Sequence, residues 1–266
     1  MEASSGLGRE CRAPADETQA RAACVDGGRM PRMSLFAHRP LAAVLFDLDG
    51  TLLDTLPDIA EALNRALVEE GVAPLPLATV LAGVGRGAAV LVEKMTAGLA
   101  LDATARARIL DRFFHHYEAL HHAHSARVQA FPGARDCLDE LRARGYRLAV
   151  VTNKRRDLAL KSLADGGVLD AFEVVVGGDT CAERKPHPAP LLYALEVLRL
   201  PVTAALMVGD SVNDVDAARA AGIPVVVVPY GYNGGEDPRL LPADAHVTGL
   251  AELPGLLAAM AVADSA

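Results

Sequence analysis

The chain contains no tryptophan, and phenylalanine and tyrosine together make up only 4% of its 266 residues. Without aromatic rings to stack on, a platform for single-stranded bases is not expected. Basic residues are also in deficit: 26 Lys and Arg stand against 34 Asp and Glu, a formal net charge of −8. That balance argues against a nucleic-acid partner and against an anionic membrane surface. The four cysteines, Cys11, Cys24, Cys137 and Cys181, show neither CxxC pairing nor dense spacing. No disulfide framework is indicated, and a reducing, cytoplasmic setting is the simpler expectation. No run approaches the ~18 uninterrupted apolar residues of a membrane helix. What is abundant is Ala, Val and Leu within a 51% hydrophobic composition. Such residues suit short parallel strands buried on both faces.

Residues 1–40 differ from the rest. They hold six Arg and five acidic residues with no hydrophobic period of either kind, so a mobile tail is expected. A secretory signal would need an apolar core, and a mitochondrial presequence should be poor in the acids present here. Met33 stands just before the first good strand, and the sequence invites the reading that translation begins there and that the tail is mis-annotated. A genuine disordered extension is the alternative.

From residue 42 the pattern is regular. Ala42–Phe46, Leu148–Val151, Glu173–Val176, Ala205–Val208 and Pro224–Val228 are short apolar runs that end in polar or glycine residues, and each reads as a buried strand. Helical patterns fill the gaps near 133–145, 155–167, 188–199, 211–221 and 250–260, with Gly145 and Gly222 as C-terminal stops. Strands alternating with helices predict a doubly wound, Rossmann-like parallel sheet. Residues 54–130 interrupt it with amphipathic stretches near 57–70, 86–98 and 102–123 and no convincing strand. The expected organisation is therefore a tail of 1–40, an α/β core of 41–53 and 131–262, and an inserted all-helical cap of 54–130.

In an α/β sheet, ligands bind beyond the carboxyl ends of the strands. Asp47, Asp49, Thr152 and Asp210 each follow an aliphatic run, and Lys185 comes a few residues after another, so all are expected to face one crevice. Gathered carboxylates repel unless a cation is bound, and oxygen-only ligands suit Mg²⁺. A lysine and a hydroxyl in the same crevice suit phosphate oxygens. Singly, each residue has an ordinary reading: a helix cap for the Asp and Thr residues, a first-turn acid for Asp214, a surface charge for Lys185.

Together, FDLDGT, VTNK, KPHP and VGDSVND, in that order, resemble the motifs of the haloacid dehalogenase-like superfamily of aspartate-nucleophile phosphatases, over about residues 41–262. The resemblance implies that Asp47 is the nucleophile and Asp49 the general acid/base, an acid/base that the dehalogenases proper lack. It implies that Thr152, with Asn153 beside it, binds phosphate and that Lys185 neutralises it. It also implies that Mg²⁺ is held by Asp47, Asp210 and the backbone carbonyl of Asp49, with Asp214 supporting the site from behind. Gly50 would let the chain turn sharply beside the phosphate, and Thr51 would help fix that turn. The expected activity is Mg²⁺-dependent hydrolysis of a phosphomonoester through an aspartyl-phosphate.

The LLDTLPDIAEALN stretch and the later Pro229-Tyr230-Gly231-Tyr232-Asn233 are similar to the superfamily's bacterial branch that acts on 2-phosphoglycolate, which implies glycolate and phosphate as products. In the cap, Arg86 within Gly83-Val84-Gly85-Arg86-Gly87 is a candidate for the substrate carboxylate, against a plainer reading as a solvent-exposed arginine at a helix start. Phosphatase action on a sugar or amino-sugar phosphate, a phosphosugar mutase, and a silent scaffold are the competing readings. A homodimer is compatible with a sequence that carries no mark of one. His115, His116, His121, His122 and His124 resemble a metal cluster but scatter around a helix, and a solvated helix is expected. Cys181 reads as a passive loop thiol. Gly231, Gly234 and Gly235 read as turn glycines, with Tyr230 and Tyr232 covering the sheet edge.

Overall fold

The computed structural model of the protein describes residues 41–123 and 127–263. The expectations for the tail, the start at Met33, Cys11, Cys24 and His124 fall outside those residues.

Six parallel strands form the central sheet: β1 (Ala43–Phe46), β4 (Arg147–Val151), β5 (Val174–Val176), β6 (Ala205–Gly209), β7 (Val225–Val227) and β8 (Ala245–His246), in the order β5-β4-β1-β6-β7-β8. The inner strands are apolar on both faces because both faces are covered. Val44, Phe46, Leu148, Val150, Leu206 and Val208 point into one core layer; Ala43, Leu45, Ala149, Val151, Ala205 and Met207 point into the other. The period of two thus assigns each strand residue to a layer. Full burial of one side chain such as Leu45 contributes about 2 kcal/mol. The first layer is closed by α5 (Ala134–Ala143), α6 (Arg156–Asp165) and α9 (Leu253–Ala263), the second by α7 (Ala189–Leu198) and α8 (Val212–Ala221). This is the expected doubly wound parallel sheet. The two-residue β8 was not expected, being too short to leave a periodic signal.

Between β1 and β4 the chain leaves the sheet and returns through a small antiparallel ribbon. Leu53 of β2 (Leu53–Asp54) pairs with Ala130 of β3 (Gln129–Ala130), and Asp54 with Gln129. The sequence reading found no strand in this stretch, and two-residue strands carry no alternation to find. Beyond the ribbon lie α1 (Leu56–Glu69), α2 (Leu77–Leu81), α3 (Ala88–Met95) and α4 (Ala103–His122). They pack around Ile59, Leu63, Leu67, Val80, Leu91, Ile109 and Phe113, a cluster distinct from the two sheet layers. Helix α4 starts where the Asp102 carboxylate accepts from Ala105 N at 2.7 Å, an N-cap. Its outer face pairs with the end of α1: Arg108 grips Glu70 through two bonds of 2.9 and 2.8 Å, and His116 meets Glu69 at 2.8 Å.

The histidines do not form a metal site among the described residues, but they are not uniformly solvated either. His115 and His122 are exposed, whereas His121 is buried and bonds Asp165 of α6 through Nδ1. Helix α4 therefore rests on α6, with Tyr117 against Ser162 at 3.3 Å and Leu158 joining the helical cluster. Among the described residues no helix is long and apolar enough to cross a membrane.

Candidate active site

The carboxyl ends of β1, β4 and β6 are neighbours in the sheet, so the residues that follow them meet. Asp47 comes directly after β1, Thr152 after β4, Asp210 after β6. Carboxylate oxygens of Asp47, Asp210 and Asp214 lie within 4.8 Å of one another. Lys185 Nζ reaches into this group, 2.8 Å from Asp47 Oδ1 and 2.6 Å from Asp214 Oδ1, and is almost wholly buried. Burial works against the lysine's charge, but the Asp214 and Asp47 carboxylates outweigh it and hold the ammonium firmly protonated.

Each acid is held differently. Asp214 forms a capping box at the start of α8 with Ser211: its Oδ2 accepts from Ser211 N at 3.0 Å and from Ser211 Oγ at 2.7 Å. Asp210 accepts from Thr51 Oγ1 at 2.7 Å and from the backbone N–H groups of Tyr232 at 2.6 Å and Asn233 at 3.4 Å. Burial, reinforced by the negative charge of Asp214, raises its pKa to about 7 despite those donors. Burial likewise pushes Asp47 well up, opposed by Lys185 and aided by Asp214 and Asp210. Three carboxylates against one ammonium leave a formal excess of two negative charges in a buried oxygen-only cluster. A hard divalent cation would cancel that excess, so the donor set fits one.

Asp49 stands apart from this cluster. Its Oδ1 accepts from Lys154 Nζ at 2.8 Å and from Thr55 Oγ1 at 2.5 Å. Lys154 in turn lies 4.6 Å over the ring of Tyr117 on α4. Burial disfavours the charge of Lys154, and the Asp49 carboxylate more than restores it. Lys154 closes the VTNK motif, where a cation beside the threonine expected to bind phosphate is the only sequence signal for this contact. Tyr117 gave none, since it lies in a helical stretch that reads as packing, and Thr55, the residue just before α1, stood inside LLDTLPDIAEALN with no chemistry of its own to mark it.

Glycines set close approaches. Gly50 has φ +91°, and a Cβ there would lie 2.6 Å from Asp210 Oδ2, so its part is to bring the β1 loop against that carboxylate. A Cβ on Gly231 would lie 2.0 Å from Asp210 Cβ. Gly231 is thus more than a turn glycine, and the two tyrosines beside it do more than cover a sheet edge. Tyr232 OH accepts from Thr55 N at 2.9 Å and Leu56 N at 3.0 Å and donates to Asp54 at 2.6 Å, at the point where the ribbon enters α1. Tyr230 OH donates to Thr51 O at 3.0 Å.

Asp47, Asp49, Thr152 and Asn153 open onto a cavity of about 300 Å³ beneath the helices. Its far wall is apolar, formed by Ile59, Leu91, Leu110, Phe113, Phe114 and Leu158. Asn153 Nδ2 donates to Gly85 O and to Lys185 O, both at 2.9 Å, joining the glycine-rich turn to the sheet. Arg86 is not on the cavity wall: its Nε donates to Asn213 Oδ1 at 3.3 Å. The arginines that do line the cavity are Arg155 and Arg184. Arg86 is therefore brought near α8 rather than into the space beside Asp47 and Asp49.

A doubly wound sheet with this acid-and-lysine cluster at its carboxyl edge agrees with the comparisons. The sequence pattern of the haloacid dehalogenase-like hydrolases matches residues 44–228, and the chain belongs to that family. The phosphoglycolate phosphatase of Nitrosospira multiformis is 45% identical over 219 residues, covering 82% of this chain and 96% of the relative. A plasmid-borne phosphoglycolate phosphatase of Cupriavidus necator is 46% identical over 231 residues, covering 85% and 97%. Among solved structures, a phosphoglycolate phosphatase so assigned from Haemophilus somnus superposes with a TM-score of 0.77 at 31% identity, over 83% of this chain and 100% of the other. The chain is accordingly an enzyme, a phosphoric monoester hydrolase.

Proposed function

We propose that the protein hydrolyses 2-phosphoglycolate to glycolate and phosphate, with Mg²⁺, through an aspartyl-phosphate on Asp47. The observation that carries the chemistry is the contrast between two acids only two residues apart. Asp47 lies against Lys185 within the carboxylate cluster, whereas Asp49 opens onto the same cavity with Thr55 and Lys154 as its partners. Asp47 and Asp210, with the carbonyl of Asp49, would hold the ion, and Asp214 would brace the cluster through Lys185 and Ser211. When bound, Mg²⁺ supplies positive charge to the phosphate oxygens and to the crowded carboxylates.

Asp47 Oδ attacks phosphorus, the bond from phosphorus to the ester oxygen breaks, and Asp49 gives its proton to the departing glycolate oxygen. Water then attacks phosphorus and yields its proton to Asp49, and the bond to Asp47 breaks to release phosphate. Thr152, Asn153 and Lys185 would hold the transferring group, Lys185 by neutralising charge that otherwise repels an anionic nucleophile. Gly50 keeps the turn open beside that group. Residues 54–130 would act as a cap over the core of 41–53 and 131–262, excluding water from the reacting atoms.

The relatives' substrate supports 2-phosphoglycolate. The cavity supports it over a sugar phosphate, because the apolar wall of Leu91, Leu110, Phe113 and Phe114 would leave sugar hydroxyls without partners. The test is phosphate release from a panel of small esters with Mg²⁺ or with EDTA. Turnover should be strongest on 2-phosphoglycolate, abolished by EDTA, and lowered at least about 10⁴-fold in Asp47→Asn. Stronger turnover of sugar phosphates would discard the substrate. An isomerised phosphosugar without net phosphate would make the protein a mutase.

A further inference from the structure

Of the cations lining the cavity, Arg184 alone has no carboxylate partner among the described residues. Lys154 is held by Asp49, and Arg155 is shared between Glu118 and Asp157. Arg184 lines the cavity together with Asp47, Asp49 and Thr152. Its Nε donates to Gly178 O at 2.6 Å, which fixes the plane of the guanidinium and leaves the Nη edge to other acceptors. Nη1 lies 3.3 Å from where a Cβ on Gly87 would stand, and that same point is 3.1 Å from Asn153 O. The guanidinium is therefore held between the glycine-rich turn and the loop that follows β4, beside the phosphate-facing residues.

Resting on the reading of 2-phosphoglycolate as the substrate, we propose that Arg184 is the specificity-determining residue that receives the carboxylate of the glycolate moiety. In this ester one oxygen and one methylene separate the two anionic ends, so a second cation must stand close to the first. Arg184 and Lys185 are consecutive, with Lys185 turned inward to Asp47 and Asp214 and Arg184 turned to the cavity. One loop thus serves both ends of a short dianionic ester. A planar guanidinium matches a carboxylate with paired donors, which a neutral hydroxymethyl group cannot exploit. Arg86, the arginine that the sequence suggested for this part, is turned to Asn213 instead.

The experiment compares kcat/KM for 2-phosphoglycolate with that for 2-hydroxyethyl phosphate, the same ester with a hydroxymethyl group in place of the carboxylate. Wild type, Arg184→Met, Arg184→Lys and Arg86→Met are measured with Mg²⁺ present. Wild type should prefer the carboxylated ester. Arg184→Met should lower that preference by about 10- to 100-fold, the worth of a charge-assisted hydrogen bond, chiefly through KM. Arg184→Lys should keep part of the preference, and Arg86→Met should keep all of it. Arg184 is exposed, so thermal melts of its variants should match wild type. A preference that survives Arg184→Met overturns the assignment while leaving the substrate standing. A preference lost in Arg86→Met but kept in Arg184→Met returns the role to Arg86. Absence of any preference in wild type removes the substrate reading and the assignment with it.

Discussion

Lys185 shows how one side chain can carry a site's electrostatics. It is buried with two carboxylates at 2.6 and 2.8 Å and faces a third through them. Removing one partner of a buried ionic group is costly because the others are left uncompensated, about 3 kcal/mol or more. Lys185→Met is therefore expected to lower the melting temperature of the metal-free protein by about 6 °C, at roughly 2 °C per kcal/mol for a chain of this size. Differential scanning calorimetry in EDTA measures it. A melt equal to wild type would mean that the carboxylates are already neutral and that the lysine is not holding them. The neighbouring Asp49 follows a different logic, since its contacts to Thr55 and Lys154 tie it to the start of α1 and, through the Tyr117 ring, to α4.

The loop after β7 is a short element with an effect larger than its length. Its backbone N–H groups at Tyr232 and Asn233 donate to Asp210, and its tyrosine hydroxyl accepts two N–H groups at the ribbon end of α1. That geometry needs Gly231, because any Cβ would overlap the Asp210 side chain at 2.0 Å. Gly231→Ala should push Asp210 out of its place between Thr51 and the loop. The expected result is a loss of about 2 kcal/mol in stability, of the order seen for a small-to-large change at a packed site. Mg²⁺ affinity, read from activity titrations, should weaken along with it. Retained stability with retained Mg²⁺ affinity would show that the loop can retreat without consequence. The β2–β3 ribbon is the other short element that matters, because both crossings between sheet and helices run through its paired residues.

Across the molecule, the sheet concentrates negative charge at one end, which couples stability to pH and, on the proposed function, to metal. Asp210 has a folded pKa raised to about 7, against an ordinary carboxyl value of 3.8. For a raised carboxyl the folded state holds the proton more tightly than the unfolded chain. Its contribution to stability is fully present below about pH 4 and is lost as pH rises through about 7. Asp47, also raised, acts in the same direction. A divalent cation held there would reverse the penalty by stabilising the ionised forms. The increase in melting temperature on adding Mg²⁺ should therefore be larger at pH 8 than at pH 5.5, each compared with EDTA at the same pH. An equal or smaller increase at pH 8 would mean that the cluster does not hold the ion as described.

The order of strands and helices could be read from the sequence because aliphatic runs and helical periods are local signals. Asp47, Asp49, Thr152, Lys185 and Asp210 could be read as a group because each follows a strand, and parallel strands bring such ends together, whereas Asp214, inside α8, was brought in only by the resemblance to a family. Lys154 and Arg184 stood beside those motifs, but adjacency in sequence does not say which of two neighbouring cations turns inward. Arg86 shows the converse, for a conspicuous arginine in a glycine-rich turn is directed by where that turn packs, here against Asn213. The parts played by Gly231 and Tyr232 depend on a loop meeting residues 22 and 178 positions away, at Asp210 and Asp54. The sequence by itself determined the α/β core and the acids and lysine at its edge, since short-range patterns dictate both. Only the tertiary structure decided which cations face the cavity and how the helices close over it, because those outcomes depend on contacts between segments distant in the chain.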